Sequence, residues 1–333
     1  MPDTPSTTRL TYAGAANAAL RHLLATDPRV LVYGEDVALP GGVFGVTRGL
    51  RRAYGADRVF DTPISEAAIL GSAVGAALMG RRPIVEIMWV DFTLVALDQL
   101  VNQAANARYV SAGRAPAPIV VRTQQGSAPG ACAQHSQSLE AFFLHTPGLR
   151  LVMPRTAQDA YDALLSAAAL DDPVLVVENR TLYFGEPVDV TPHTEPRPAG
   201  WHHRRRAGTD LTVVTWGAVT GQVLAAAERL AAHGVEAEVL EMVWLNPFDT
   251  AAVLASVGRT GRLAVVHEAN QTGGFGAEVL ARVAEAGVPL AAPPVRVAAP
   301  DVRLPAAPGL AESLVPSVRS ITERLLSAVP AAV

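Results

Sequence analysis

The strongest constraint in this chain is a repeated alternation of two patterns. Short apolar runs recur at Val30-Leu31-Val32-Tyr33, Ile84 to Trp89, Ile119-Val120-Val121-Arg122, Leu151-Val152-Met153 and Val174-Leu175-Val176-Val177. Stretches of helical period lie between them: Tyr12 to Ala25, with Ala15, Ala19, Leu20 and Leu23 on one face, then Thr47 to Tyr54, Leu94 to Arg108 and Ser138 to Leu144. Strands without polar alternation are buried on both faces, and helices between them supply the cover. The pattern predicts an α/β fold built on a mostly parallel sheet.

A second series follows. Apolar runs at Leu211–Trp216, Val235–Leu240, Leu263–His267 and Val295–Val297 again alternate with helical stretches. Gly185 to Asp210 is rich in Pro, His and Arg and has no period. The expected organisation is therefore a first domain at 1–188, a linker at 189–208 and a second domain at 209–333. With 333 residues, half of them apolar, each domain has enough material for a core. Arg204-Arg205-Arg206 reads as a solvated face of the linker.

Composition removes several classes of function. All 27 basic residues are arginine, so chemistry that needs a lysine amine is excluded: Schiff-base aldolases, pyridoxal phosphate enzymes and P-loop NTPases. A net charge of -4 without a basic stripe argues against nucleic acid. One cysteine, Cys132, leaves no disulfide framework and points to a reducing compartment. No window approaches the roughly 18 apolar residues of a membrane span, and Met1 to Thr8 is polar without a signal-peptide layout. A cytoplasmic location is expected. No G-x-G-x-x-G, G-x-S-x-G or H-E-x-x-H motif occurs, and no Cys/His metal spacing, so no metal-ligating residue is assigned. Gly273-Gly274-Phe275-Gly276 is read as a place where a helix packs closely on the sheet.

Two polar constellations remain. Glu66 ends Asp61-Thr62-Pro63-Ile64-Ser65-Glu66 and opens an Ala/Gly-rich helix, with Phe92 about one strand downstream. A thiamine aminopyrimidine needs a carboxylate on a ring nitrogen and an aromatic on its face. Alone, Glu66 reads better as a first-turn glutamate favoured by the helix dipole, and Phe92 as a core residue. The second constellation is Gln134-His135-Ser136-Gln137-Ser138. There Ser136 or, better, Ser138 can N-cap a helix, while a loop histidine such as His135 suits proton transfer.

The joint order of pieces narrows these readings. Gly34-Glu35-Asp36-Val37, Gly42-Val43-Phe44, Thr62-Pro63-Ile64-Ser65-Glu66, Asp98 to Ala104, His135-Ser136-Gln137-Ser138 with Glu140-Ala141-Phe142-Phe143, and His145-Thr146-Pro147-Gly148-Leu149 occur in one sequence. In this order the chain resembles the beta subunit of the thiamine-diphosphate-dependent first component of 2-oxo acid dehydrogenase complexes, the pyruvate, branched-chain and acetoin dehydrogenase family. The resemblance implies a pyrimidine-binding domain followed by a transketolase C-terminal-type domain. It implies an alpha subunit in an alpha2beta2 heterotetramer, a lipoyl acyltransferase core as acceptor, and a 2-oxo acid or acetoin as substrate.

By motif, Glu66 matches the glutamate on the aminopyrimidine nitrogen, Phe92 the stacked aromatic, Ile64 and Met88 the ring-lining positions, and Glu35 a glutamate near the cofactor. His135 matches a histidine of the active-site channel. The family's alpha subunit carries Gly-Asp-Gly for Mg2+ and the diphosphate; this chain has no Gly-Asp-Gly, so it would hold half a cofactor site. Ala168 to Pro173 departs from the potassium loop of some members, with Leu170 and Asp172 where Asp and Asn are expected. Potassium is left unassigned. The alternatives are a non-catalytic assembly subunit, which docks an alpha chain and the acyltransferase core, and a split transketolase-like enzyme.

Overall fold

The computed structural model describes residues 7–128, 130–327 and 329. Most of the polar N-terminal stretch, and Pro129 in the loop from Gly126 to Gly130, lie outside the described residues. The chain forms two compact units. The first comprises Met1–Gln125 and Phe142–Ala199, the second Gly126–Ala141 and Gly200–Val333. The second unit thus takes a segment that the chain order had assigned to the first domain.

In the first half of the chain the elements run β1 (Thr8–Leu10), α1 (Tyr12–Thr26), β2 (Val30–Gly34), α2 (Leu50–Tyr54), β3 (Val59–Asp61), α3 (Glu66–Leu78), β4 (Arg82–Ile87), α4 (Ala107–Val110), β5 (Val120–Gln125), α5 (Glu140–Leu144), β6 (Arg150–Val152), α6 (Ala157–Ala169), β7 (Val174–Asn179) and β8 (Val188–Val190). Within the first unit the parallel strands lie in the order β6-β7-β5-β4-β2-β3. Both β5 and β7 are buried along their whole length, as strands covered on two faces must be. α1 starts where the Thr11 hydroxyl caps Gly14 N at 3.0 Å and buries Tyr12, Ala15, Ala16, Ala19, Leu20 and Leu24.

The long helix expected from Leu94 to Arg108 is broken into a 3-10 turn (Val90–Leu94), a π-helical stretch (Gln99–Ala104) and α4. Polar side chains mark this stretch. The Asn102 side-chain amide donates to the Asp98 carboxylate at 2.8 Å, and the Asn106 side-chain amide reaches the Asn102 carbonyl at 3.3 Å. The second contact takes a backbone acceptor that a regular helix would use.

The second half runs β9 (His202–Arg206), β10 (Leu211–Thr215), α7 (Thr220–Ala231), β11 (Ala237–Met242), β12 (Trp244–Asn246), α8 (Thr250–Thr260), β13 (Leu263–Asn270), α9 (Gly276–Glu285), β14 (Val295–Ala299), α10 (Pro308–Leu314) and α11 (Val318–Leu326). Its sheet has the order β14-β13-β10-β11-β9, parallel except for β9. The core beside α7 and α11 is built from Leu211, Val213, Val239, Val266, Ile321 and Leu325, among others.

The linker expected at 189–208 carries strand residues near both ends, with the irregular stretch 191–201 between them. Val188–Val190 pairs antiparallel with β1, and His202–Arg206 pairs antiparallel with β11 as an edge strand. Arg204 is exposed as expected, but Arg205 and Arg206 are not simply solvated. Arg205 bonds the buried Glu241, while Arg206 bonds Glu236 at 2.6 Å and the Ala237 carbonyl at 2.8 Å. Charge along an edge strand also discourages further strand pairing.

Candidate active site

The strand order locates a crevice in the first unit. From β2 the chain goes to β3 on one side; from β4 it goes to β5 on the other. The connections diverge at the carboxyl ends of β2 and β4, where open parallel sheets bind ligands. Glu35 follows β2 directly, Met88 and Trp89 follow β4, and Glu66 is the first residue of α3, which itself follows β3. Gly34 allows the two strand ends to approach: a Cβ there would lie 2.5 Å from the Glu86 carbonyl oxygen, and its φ of 154° disfavours any other residue.

The loop carrying Glu35 is pinned. The Asp61 carboxylate accepts from Ala38 N at 2.6 Å and Leu39 N at 3.0 Å, and the Thr47 hydroxyl donates to the Val37 carbonyl at 2.6 Å. Glu66 is 8% exposed. Glu35 feels it: burial pushes the Glu35 carboxyl up, and the charges of Glu66 and Asp36 push the same way. The Glu35 Oε1 atom is buried and has no hydrogen-bond partner. A buried carboxylate oxygen without a donor is costly, so this crevice suits a ligand that brings an N–H or O–H group. Met88 and Phe92 are half-buried beside β4, Phe92 in the 3-10 turn. Ile64 is 82% exposed and packs little against its own chain.

Sequence reasoning missed the wall behind this crevice. The Arg180 guanidinium lies 5.1 Å from the Trp89 ring centre; Phe44 meets Trp89 edge-on at 5.2 Å and stacks on Tyr183 at 4.5 Å. The Tyr183 hydroxyl donates to Glu178, which with Glu86 holds the guanidinium of Arg122. All three ionic residues are buried on adjacent strands. A glutamate inside each of two apolar strands was the available signal.

His135 belongs to the second unit, in the loop before α5, and is half-buried; Ser136 beside it is buried. Because α5 begins at Glu140, Ser138 lies two residues ahead of the first helical residue instead of at the capping position. Glu140 is fully buried and accepts from the Trp216 indole N–H at 3.2 Å. Two of the three glycines in residues 273–276 serve close packing: Cβ atoms on Gly274 and Gly276 would come within 2.6 and 2.8 Å of the His267 ring. Among the described residues no three His, Cys, Asp or Glu side chains converge as a metal site, and no helix is long and apolar enough to cross a membrane.

Both units are of the transketolase type, as the family models show. The "Transketolase, pyrimidine binding domain" model matches residues 8–185 and the "Transketolase, C-terminal domain" model residues 200–321. The 3-methyl-2-oxobutanoate dehydrogenase subunit beta of Mycobacterium tuberculosis (strain ATCC 25618 / H37Rv) is 43% identical, over 84% of this chain and 80% of the relative. The pyruvate dehydrogenase E1 component subunit beta of Leifsonia xyli subsp. xyli is 42% identical over 93% and 91%, and the mitochondrial one of Homo sapiens 39% over 95% and 90%. The chain belongs to the family of beta subunits of the first component of 2-oxo acid dehydrogenases. A structure titled "Split gene transketolase, inactive beta4 tetramer" shares the fold, with a TM-score of 0.78 at 22% identity over 97% of this chain and 99% of that one.

Proposed function

We propose that this chain is the catalytic beta subunit of a thiamine-diphosphate-dependent 2-oxo acid dehydrogenase, acting with an alpha subunit in an alpha2beta2 heterotetramer. The observation that carries it is the carboxylate pair Glu35 and Glu66, with a buried and unpartnered Glu35 oxygen, at the switch point of β2 and β4. A bound thiamine diphosphate would supply an electron sink for the carbanion left by decarboxylation. Glu66 would hold a proton at the pyrimidine ring nitrogen, and Glu35 would accept a second hydrogen bond from the cofactor. Phe92 and Met88 would cover the ring and exclude water. Ile64, at the exposed rim, would meet the ring from its other edge. His135 would move protons as the acyl group passes to the lipoyl arm of an acyltransferase core. Mg2+ and the diphosphate would be held mainly by the alpha subunit; potassium is not assigned.

Relatives named for pyruvate and for 3-methyl-2-oxobutanoate both match over most of the chain. We favour a pyruvate-type acid or acetoin on the sequence motifs, and a substrate panel on the reconstituted complex decides it: exclusive turnover of branched-chain acids refutes that preference. The main test is Glu66→Gln. It is expected to lower turnover by about 10²–10⁴-fold, the usual worth of a positioned proton-transfer group, with assembly unchanged. A non-catalytic docking subunit would instead keep full activity.

A further inference from the structure

The second unit has a switch point of its own. From β10 the chain crosses through α7 to β11 on one side, and from β13 it crosses through α9 to β14 on the other. The carboxyl ends of β10 and β13 therefore flank the kind of crevice in which parallel sheets hold ligands. Here residues 136–138 and Glu140 of the chain itself lie against it. Trp216, directly after β10, donates its indole N–H to the buried Glu140. The same indole lies flat on His267 of β13, with ring centres 5.2 Å apart and planes 9° from parallel. Nearer the surface, Ser136, Gln137 and Ser138 face Glu268 and Asn270 of β13 across a small cleft that Arg303, after β14, also lines. Across it the Arg303 guanidinium donates to the Gln137 side-chain oxygen at 2.7 Å.

We propose that Arg303 is a positioning residue for His135. Glu140 anchors the loop five residues beyond His135, and Arg303 grips it two residues beyond. Ordering a loop costs backbone entropy at every residue, so a side-chain clamp that close to His135 decides how well its imidazole is held. The inference rests on the proton-transfer role given to His135 above.

The test uses the complex reconstituted with its alpha subunit and two rates: reduction of a dye acceptor, which needs decarboxylation alone, and acylation of a free lipoyl domain. Arg303→Leu is expected to lower kcat for lipoyl acylation about five- to tenfold, the net worth of one ordinary hydrogen bond at an exposed site, and to leave the dye rate within about twofold. Arg303→Lys should restore part of the loss, and in a His135→Gln background Arg303→Leu should add nothing further. Amide hydrogen exchange across residues 126–139 should quicken in Arg303→Leu. Equal loss of both rates, or no loss, overturns the positioning role. Unchanged exchange overturns the clamp whatever His135 does. A His135→Gln complex that acylates at the wild-type rate, with exchange still quickened by Arg303→Leu, overturns the role of His135 and with it the functional half of the proposal, leaving only the clamp.

Discussion

Removing the charge of Arg122 should destabilise the first unit heavily, and more so at high pH. Arg122, Glu86 and Glu178 are respectively 1%, 5% and 0% exposed, and the guanidinium bonds both carboxylates. Arg122→Met keeps much of the apolar stem but leaves two carboxylates facing each other without a counter-charge. Breaking a buried pair in this way costs about 3–5 kcal/mol. That is a large share of the 5–15 kcal/mol that holds a typical domain, and for a unit of this size it lowers Tm by roughly 6–20 °C.

The pH dependence follows from Glu86. Burial already raises its carboxyl in the fold, with Arg122 pulling it back. Without Arg122 it rises further, so the fold keeps a proton that the unfolded chain, with an ordinary carboxyl, releases. Stability then falls as pH rises from the unfolded value towards the raised one. Thermal unfolding followed by circular dichroism at pH 5 and pH 8 should show a smaller penalty at pH 5. Replacing both glutamates by glutamine in the same variant should recover most of the loss, because no unpaired charge is then left buried. A loss under about 1 kcal/mol, or a penalty that grows on acidification, would refute the account.

Other perturbations test separate parts of the structure. His267 is buried on Trp216, and burial first, then the charge of Arg296, pulls its pKa down to about 4. The unfolded chain takes up a proton near pH 6.5 that the fold refuses, so stability is present above about 6.5 and lost as pH falls towards 4, by up to about 3 kcal/mol; His267→Phe, which keeps the stack, should flatten this slope in acid-unfolding curves. Gly276→Ala presses a methyl to within 2.8 Å of that ring and should cost about 1–3 kcal/mol, whereas Gly258→Ala, inside α8 with nothing within 4 Å, should gain about 0.5–1 kcal/mol; paired denaturant melts compare the two. Calorimetry should find weak or no binding of thiamine diphosphate to the isolated chain, and tight binding would show that the chain does not need a second subunit to complete the site.

The central strands of both sheets were legible because each is specified by a local pattern. Runs such as Val174–Val177 and Leu211–Trp216 stand out since a strand buried on both faces has no polar alternation to blur it. Helix α1 was legible for the same reason, its small and apolar residues recurring at helical spacing. Glu66 could be singled out because it opens a helix of small residues, and Phe92 because it follows a strand. Where reading failed, local patterns misled. Asn102 and Asn106 look harmless in a helical stretch until the first is seen to bond the Asp98 carboxylate and the second a backbone carbonyl. Arg205 and Arg206 look like solvent-facing charge until β11 supplies Glu241 and Glu236 supplies a second anchor.

By itself, then, the sequence determined the class of fold, its central strands and the family to which the chain belongs. Tertiary structure alone decided which polar groups meet. Arg122 finds Glu86 and Glu178 from 36 and 56 residues away, Trp216 finds Glu140 from 76, and Arg303 finds Gln137 from 166. It also set Glu35 with a lone buried oxygen beside Glu66, at a point where two crossovers part. The physical reason is one of range. Burial periodicity is written over a few residues, whereas the pairing of a buried charge depends on strand order and register, which only the assembled sheet defines.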